Sequence, residues 1–419
     1  MLHNKMFKNA VLSASLIASP IAAYAEEITV WAWDPNFNVA IMEEAAKRYK
    51  EIDPDTTFNI ISYSKNDIEQ KLNTMLTSGV SESLPEIVLI EDYNAPLYLS
   101  AYPGAFEPLT TSIDVRLFSP YKSMLVSQGD ELYGVPFDSG VSGLFYRKDI
   151  LEQAGFTAED LHSITWDRYI EIGKQVKEKT GVAMLSMNPT DMGLLYIMLQ
   201  SGGEWFTDVD GSLNLSNNKT LIEALKTWTT LLTADFTRPI SDWSGLVSGL
   251  NQGLAASATN GVWFVPAVSS EKSQEGKWAI APTPRLSLEG SVNASNLGGS
   301  SWFVLSKSDD KKAAIDFLQK TFASDLDFYS KILVERGAVA TFVPASDSDA
   351  YKQSIPFFGG QKIYQDFAKW QLDVPDVDYG AYTREITSAL NASLPEIING
   401  RPIEDVLKQL EKQLEFQLR

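Results

Sequence analysis

The sequence predicts an α/β fold in which a mostly parallel sheet is flanked by helices. Three observations carry that reading. Strand-like and helix-like segments alternate over the first seventy or so residues that follow a short leader, in the order strand, helix, strand, helix, strand. The chain has 419 residues, 44% of them hydrophobic, enough for a large core and for two domains. Charged residues make up 21% and aromatic residues 11%, the balance of a folded chain and not of a disordered one.

The leader comes first. Lys5 and Lys8 precede the apolar run "AVLSASLIASPIAA", and "AYA" stands before Glu26. A basic start, a short apolar centre and an A-x-A-like end describe a cleaved secretory signal over residues 1–25. The run is too short for a membrane span. No Cys stands near the cleavage site, so a free, exported chain without a lipid anchor is expected.

The strands and helices then follow in turn. "EITVWAW" reads as the first strand. "NFNVAIMEEAAKRYKEID" places Met42, Ala45, Ala46, Tyr49 and Ile52 on one helical face. "TTFNIIS" alternates as a second strand. Asn66 is the expected cap of "DIEQKLNTMLTSG", where Ile68, Leu72, Met75 and Leu76 recur at helical spacing and Gly79 ends the run. "EIVLIED" is the third strand. Beyond it the chain is helix-rich, with "TWDRYIEIGKQVKEKTG", "GLLYIMLQSGGEWF" and "SNNKTLIEALKTWTTLLTAD", the last with Ser216 as expected cap. Residues 286–298 are rich in Ser, Asn and Gly and read as a loop. A strand "SWFVLS", a helix "DDKKAAIDFLQKTFAS" and an amphipathic C-terminal helix with Val406, Leu410 and Leu414 on one face complete the chain.

In open sheets of this kind ligands sit beyond the carboxyl ends of the strands. The first strand ends in Trp33, Asp34 and Asn36, the second in Tyr63, Ser64 and Lys65, the third in Glu91, Asp92 and Tyr93. Large aromatics beside carboxylates gain little in a core or in a plain surface turn, so these ends read as the rim of a binding site.

Composition then excludes several chemistries. The formal charge is −19; without the two leader lysines 33 basic residues face 54 acidic ones, a net −21. Such a chain repels nucleic acid and anionic lipid and suits a neutral or cationic ligand. There is no Cys, which removes disulfides, thiol nucleophiles and Cys-bound zinc. His3 leaves with the leader, so His162 alone remains, and its setting in "EDLHSITW" reads as a surface loop. "DVDGSLN" at 208–214 imitates a calcium loop, but Lys219 stands where an EF-hand needs its bidentate Glu, and a hairpin turn is expected there. No cofactor motif appears. Several Trp residues sit beside turn formers: Trp33, Trp205, Trp243, Trp263 and Trp302. Flat aromatic faces stack on sugar rings while Asp, Asn, Ser and Arg bind hydroxyls, so this inventory fits a carbohydrate.

"ELYGVPFDSGVSGLFYRKDILEQAGF", "TWDRY", "LPEIVLIEDY", "TNGVWFVP", "KWAIAPTP", "NLGGSSWFVLS" and "KKAAIDFLQKTFAS" resemble, in order along the chain, the extracellular solute-binding proteins of bacterial carbohydrate ABC transporters. Within that family "WAWDPNFNVAIM", "PFDSGVSGLFYR", "NASNLGGSSW", "ILVERGAV" and "FFGGQK" resemble the lactose-binding branch. The resemblance implies a two-lobed periplasmic-binding-protein fold of the type II, Venus-flytrap kind with a multi-crossing hinge. Lobe one would comprise 26–137 and 303–344, lobe two 138–302 and 345–419. It implies a neutral disaccharide-sized ligand, lactose or a related galactoside, held between the lobes and passed to permease subunits in the inner membrane. It implies a monomer in the periplasm, with no nucleic-acid partner, no cofactor and no bond chemistry. The ligand-binding residues it and the motifs point to are Trp33, Asp34, Asn36, Asp92, Tyr93, Asp138, Trp243, Trp263, Gly299, Ser300, Trp302 and Arg336. Gly140 and Gly143 in "FDSGVSG" are expected beside the first hinge crossing. The competing reading is a secreted glycoside hydrolase, with its carboxylate pair drawn from Asp34, Asp92 and Asp138.

Overall fold

The computed structural model describes residues 26–80, 83–208 and 210–418. The signal reading of residues 1–25 lies outside these. No helix among the described residues is long and apolar enough to cross a membrane.

Among the described residues twelve strands form: β1 (Glu27–Ala32), β2 (Thr57–Ser62), β3 (Ile87–Glu91), β4 (Ser127–Gln128), β5 (Glu131–Leu132), β6 (Gly134–Asp138), β7 (Ser142–Arg147), β8 (Ala183–Met187), β9 (Thr237–Pro239), β10 (Ala255–Gly261), β11 (Trp278–Pro282) and β12 (Ser300–Val304). Five make one sheet in the order β2-β1-β3-β12-β6, and five make another in the order β11-β7-β10-β8-β9. In the first sheet only β12 runs against its neighbours; in the second only β7 does. β3, at the centre of the first sheet, buries Ile87, Val88, Leu89 and Ile90, and β7 of the second buries the consecutive Leu144, Phe145 and Tyr146. Strands covered on both faces need such continuous apolar runs.

The chain passes between the sheets three times. Ser139–Val141 joins β6 to β7. Residues 295–299 return from the second sheet to β12, and 339–341 leave again. The three segments lie side by side: Leu297 donates its N–H to the Gly140 carbonyl at 2.8 Å, and Ser139 donates to Val339 at 2.9 Å. β12 lies wholly in the first sheet, so the second crossing precedes Ser300 and does not fall at the expected 302/303 boundary. A side chain on Gly140 would strike the Leu297 and Gly298 carbonyls, and one on Gly143 would meet Ile280 and Phe367. Those two glycines therefore serve close packing. The positive φ angles at the crossings belong to Gly298 (+78°) and Gly299 (+95°).

Two helix starts differ from expectation. Ser64, not Asn66, caps the helix Lys65–Ser78 by accepting from the Asp67 N–H. Asn218 caps Lys219–Thr233, because Ser216 is bonded to Glu411 of the C-terminal helix Ile403–Gln417. Residues 210–214 turn back beside a Thr207–Leu213 bridge, with Asp208 accepting from Asn214 and Asp210 from Ser212. His162 is exposed beside Ser163.

Candidate functional site

A cleft of about 710 Å³ separates the two sheets above the crossings. One wall comes from the first sheet and the helix Lys65–Ser78: Lys65, Asn66, Glu69, Glu91, Tyr93 and Asn94. The facing wall comes from the second sheet and its loops: Thr190, Asp191, Tyr196, Trp243, Asn260 and Trp263. Leu297 and Gly298 of the second crossing lie between them, and the helix Thr383–Ile398 closes one side with Arg384, Thr387, Ser388 and Asn391.

The two tryptophans are the largest apolar surfaces in the cleft. Trp243 opens the helix Trp243–Asn251, whose cap Asp242 accepts from the Gly245 N–H at 2.8 Å. Trp263 sits in a short turn, and its Nε1 donates to the Leu297 carbonyl at 2.8 Å. Gly261 has no side chain to obstruct that indole. The ring centroids are 5.7 Å apart and the planes 34° from parallel. Phe264 braces Trp243 edge-on at 5.2 Å. Trp243 keeps 48% of its surface exposed and Trp263 36%, so both are platforms and not core.

Tyr93 crosses from the first wall to the second. It stacks on Trp205 at 5.8 Å and 12°, and touches Tyr379 and Tyr196. Its hydroxyl accepts from the Gly298 N–H at 3.2 Å. Burial pushes the Tyr196 hydroxyl up to about 12, so it stays protonated and donates to Thr387 at 2.7 Å.

Charges in the cleft are largely committed. Lys65 holds Glu91 with two contacts of 2.9 Å. Glu69 accepts from Asn94 and, across the mouth, from Arg384, both at 3.0 Å. The arrangement offers stacking faces, amides and hydroxyls with paired charges around them, which matches a neutral polyhydroxyl ligand.

Of the residues expected from sequence, Tyr93, Trp243 and Trp263 line this cleft. Trp33 is half-buried in a crevice against Ile68 and Leu72, outside the cleft lining. Asp34 has φ +54° and accepts from the Asn36 N–H, so the opening Trp-Asp-Pro is chiefly a strand-ending turn. Arg336 is exposed and donates to the Asn36 carbonyl at 3.3 Å. Five other expected residues lie outside the cleft lining. Trp302 is 0% exposed, packed between Phe137 and Phe322. Asp92 is fully buried and ion-paired to Lys122 at 2.6 Å, and Lys122 also donates to the Asp138 and Ser300 carbonyls. Asp138 accepts from the Ser300 N–H at 2.8 Å and from its hydroxyl. Gly299 and Ser300 belong to this buried node at the root of the second crossing. Burial pushes the Asp92 carboxyl up to about 6 in spite of Lys122. Asp92 and Asp138 are thus hinge fasteners, Asp34 is a cap, and none of the three faces another across the cleft as a hydrolase pair would.

Sequence reasoning missed Glu69, Asp191, Tyr196, Asn260, Thr383 and Arg384. Asn260 lies within the quoted "TNGVWFVP"; the others carry no local signal, because long-range packing alone brings them to the rim.

The chain matches a family described as bacterial extracellular solute-binding protein over residues 44–353. It is 50% identical to a lactose-binding protein of Rhizobium radiobacter over 410 residues, covering 98% of this chain and 97% of that one. The fold is shared with the sugar-binding protein MalE of Xanthomonas citri (TM-score 0.77, 17% identity, 92% and 96% coverage). It is shared too with the galacto-N-biose-/lacto-N-biose I-binding protein of an ABC transporter from Bifidobacterium longum (TM-score 0.75, 20% identity, 94% and 97% coverage).

Proposed function

We propose, from the premise that this chain belongs to the bacterial extracellular solute-binding proteins, that its ligand is lactose or a related galactoside. The protein is a carbohydrate-binding component of an ABC importer and not an enzyme. One observation carries the ligand class: two exposed, braced indoles, Trp243 and Trp263, face a wall of amides and paired charges across a cleft of disaccharide size. The half-identical lactose-binding relative supports the choice of sugar. Tyr93, Trp243 and Trp263 are the contacts proposed from both sequence and geometry.

The ligand's work is a population shift. A sugar that touches both walls binds the closed arrangement better than the open one, and the closed form is what a permease would meet. Residues 1–25 are proposed to direct export to the periplasm, where the protein acts as a monomer.

Thermal and urea unfolding with a panel of neutral mono-, di- and trisaccharides tests the reading. A sugar at 100 times its Kd should add about 2.7 kcal/mol of stability. Stabilisation by lactose supports the specific reading; stabilisation by a different sugar alone replaces it; no response to any of the panel overturns the carbohydrate assignment.

A further inference from the structure

A second cavity, of about 80 Å³, opens from the cleft into the second lobe. The two share Asp191, Gly193, Leu246, Asn260 and Leu297 at their junction. The inner end is made by β8 and β10 and by Trp166, the first residue of the helix Trp166–Thr180.

Its polar chemistry is unfinished. Trp166 is 1% exposed and its Nε1 has no hydrogen-bond partner; Ser186 is 9% exposed and its Oγ has none either. Buried donors and acceptors are nearly always satisfied, by protein, by water or by ligand. Two orphaned groups lining one cavity that opens on a binding cleft therefore point to an occupant. The chemistry of that occupant is constrained. An indole N–H only donates, so the guest must accept. A serine hydroxyl can do either. The Asp191 carboxylate at the mouth, with its Oδ1 2.8 Å from the Gly193 N–H, disfavours an anion. A neutral hydroxyl meets all three conditions.

Space agrees. The cavity holds several water-sized groups, enough for the exocyclic hydroxymethyl of a sugar ring seated at the junction. Gly193 keeps the entrance open: a Cβ there would lie 3.1 Å from Asp191 Oδ1 and 3.4 Å from Leu297 Cδ1.

We propose that this cavity is a terminal subsite, in which the hydroxymethyl group of the last ring of the sugar binds Trp166 Nε1 and Ser186 Oγ. The subsite rests on the carbohydrate reading above and refines it. It ends the ligand on the second lobe, so the protein selects short saccharides with an unblocked terminal hydroxymethyl over the interior of a long chain.

Calorimetry on the mature protein tests it, with lactose and with two lactose analogues, each lacking the hydroxymethyl oxygen of one ring. One analogue should bind at least ~10-fold more weakly than lactose, because the buried partners are left unpaired. Ser186→Ala should weaken lactose by about 3- to 10-fold and lose most of its discrimination against that analogue. Gly193→Val, at the first residue of the helix Gly193–Ser201, should block the entrance and weaken lactose by ~10-fold or more. The indole N–H resonance of Trp166, assigned with Trp166→Phe, should move downfield on saturation. Equal affinity for lactose and both analogues, with an unmoved indole resonance, overturns the subsite and leaves the cavity to water. Wild-type protein that binds no sugar of the panel overturns the carbohydrate reading, and the subsite with it.

Discussion

Gly298 and Gly299 differ by one position, and replacing each with Ala separates backbone strain from steric overlap. Both have φ in the left-handed half of the map, +78° and +95°. An L-residue there costs about 1–2 kcal/mol. Around Gly298 the nearest atom to a new Cβ is Trp263 Nε1 at 3.6 Å, an ordinary contact. Gly298→Ala should therefore lose only the strain, about 1 kcal/mol. At Gly299 the Cβ would stand 2.6 Å from Asp92 Oδ2, 3.1 Å from the Asp138 carbonyl and 3.3 Å from Lys122 Nζ. None of these can yield without disturbing a fully buried ion pair. Overpacking adds about 1–3 kcal/mol to the strain, so Gly299→Ala should cost about 3 kcal/mol in all. Urea unfolding followed by tryptophan fluorescence measures both, at matched slopes. Losses that agree within about 0.5 kcal/mol would refute the claim that the Asp92–Lys122 node packs against the crossing.

Trp302→Ala should destabilise the sugar-free protein by about 3–5 kcal/mol, since it empties a core position; a loss under about 1 kcal/mol would return Trp302 to the surface. Glu44 bridges Arg48 and Lys331. Partial burial raises its pKa, but the two cations outweigh that and leave it lowered. A carboxyl with a depressed folded pKa contributes stability that is present above its unfolded value and lost as pH falls through the folded one. Glu44→Gln should therefore flatten the decline of stability below about pH 4.5, and an unchanged acid limb would contradict the bridge. Arg384→Ala should change stability by no more than about 0.5 kcal/mol, its side chain being 71% exposed, yet raise the radius of gyration of the sugar-free protein by unlatching Glu69. An unchanged scattering curve would deny that latch.

The legible part of the fold is the part written in local periodicity. β1, β2 and β3 and their helices stand where alternation and helical spacing put them, except that the first helix ends at Tyr49 and leaves Ile52, expected on its buried face, exposed. The site was legible only where an aromatic stood beside turn formers and the fold left it in the open. Trp243 and Trp263 share that local signature with Trp302, which is core. The difference lies in the partner elements: β12 is flanked by β3 and β6 in mid-sheet, whereas Trp243 begins a helix at the rim. Asp92 and Asp138 show the same limit. A carboxylate at a strand end looks like a ligand contact until Lys122, 30 residues away in sequence, is seen to neutralise it. Arg384 and Glu69 are 315 residues apart, and no window of sequence relates them.

The placement of the two indoles has a consequence for closure. Trp243 and Trp263 both belong to the second lobe, so a sugar stacked on them gains the same contact whether the cleft is open or shut. A ligand with equal affinity for two states shifts neither, and moving an equilibrium from 1:99 to 99:1 takes about 5.5 kcal/mol of difference. That difference must come from the first wall, where Asn66, Glu91 and Asn94 line the side of the cleft opposite the indoles. Affinity and closure should therefore separate under mutation. Trp263→Ala should weaken binding by about 1–3 kcal/mol and still give the full fall in radius of gyration once saturated. Asn66→Ala with Asn94→Ala should leave a saturable site whose scattering curve moves less on adding sugar, because the bound state is no longer held shut. Small-angle scattering at saturating lactose, paired with calorimetry on the same samples, reads both quantities. If the double variant closes fully and the tryptophan variant does not, the driving contacts lie on the second lobe and the division of labour argued from these walls is reversed.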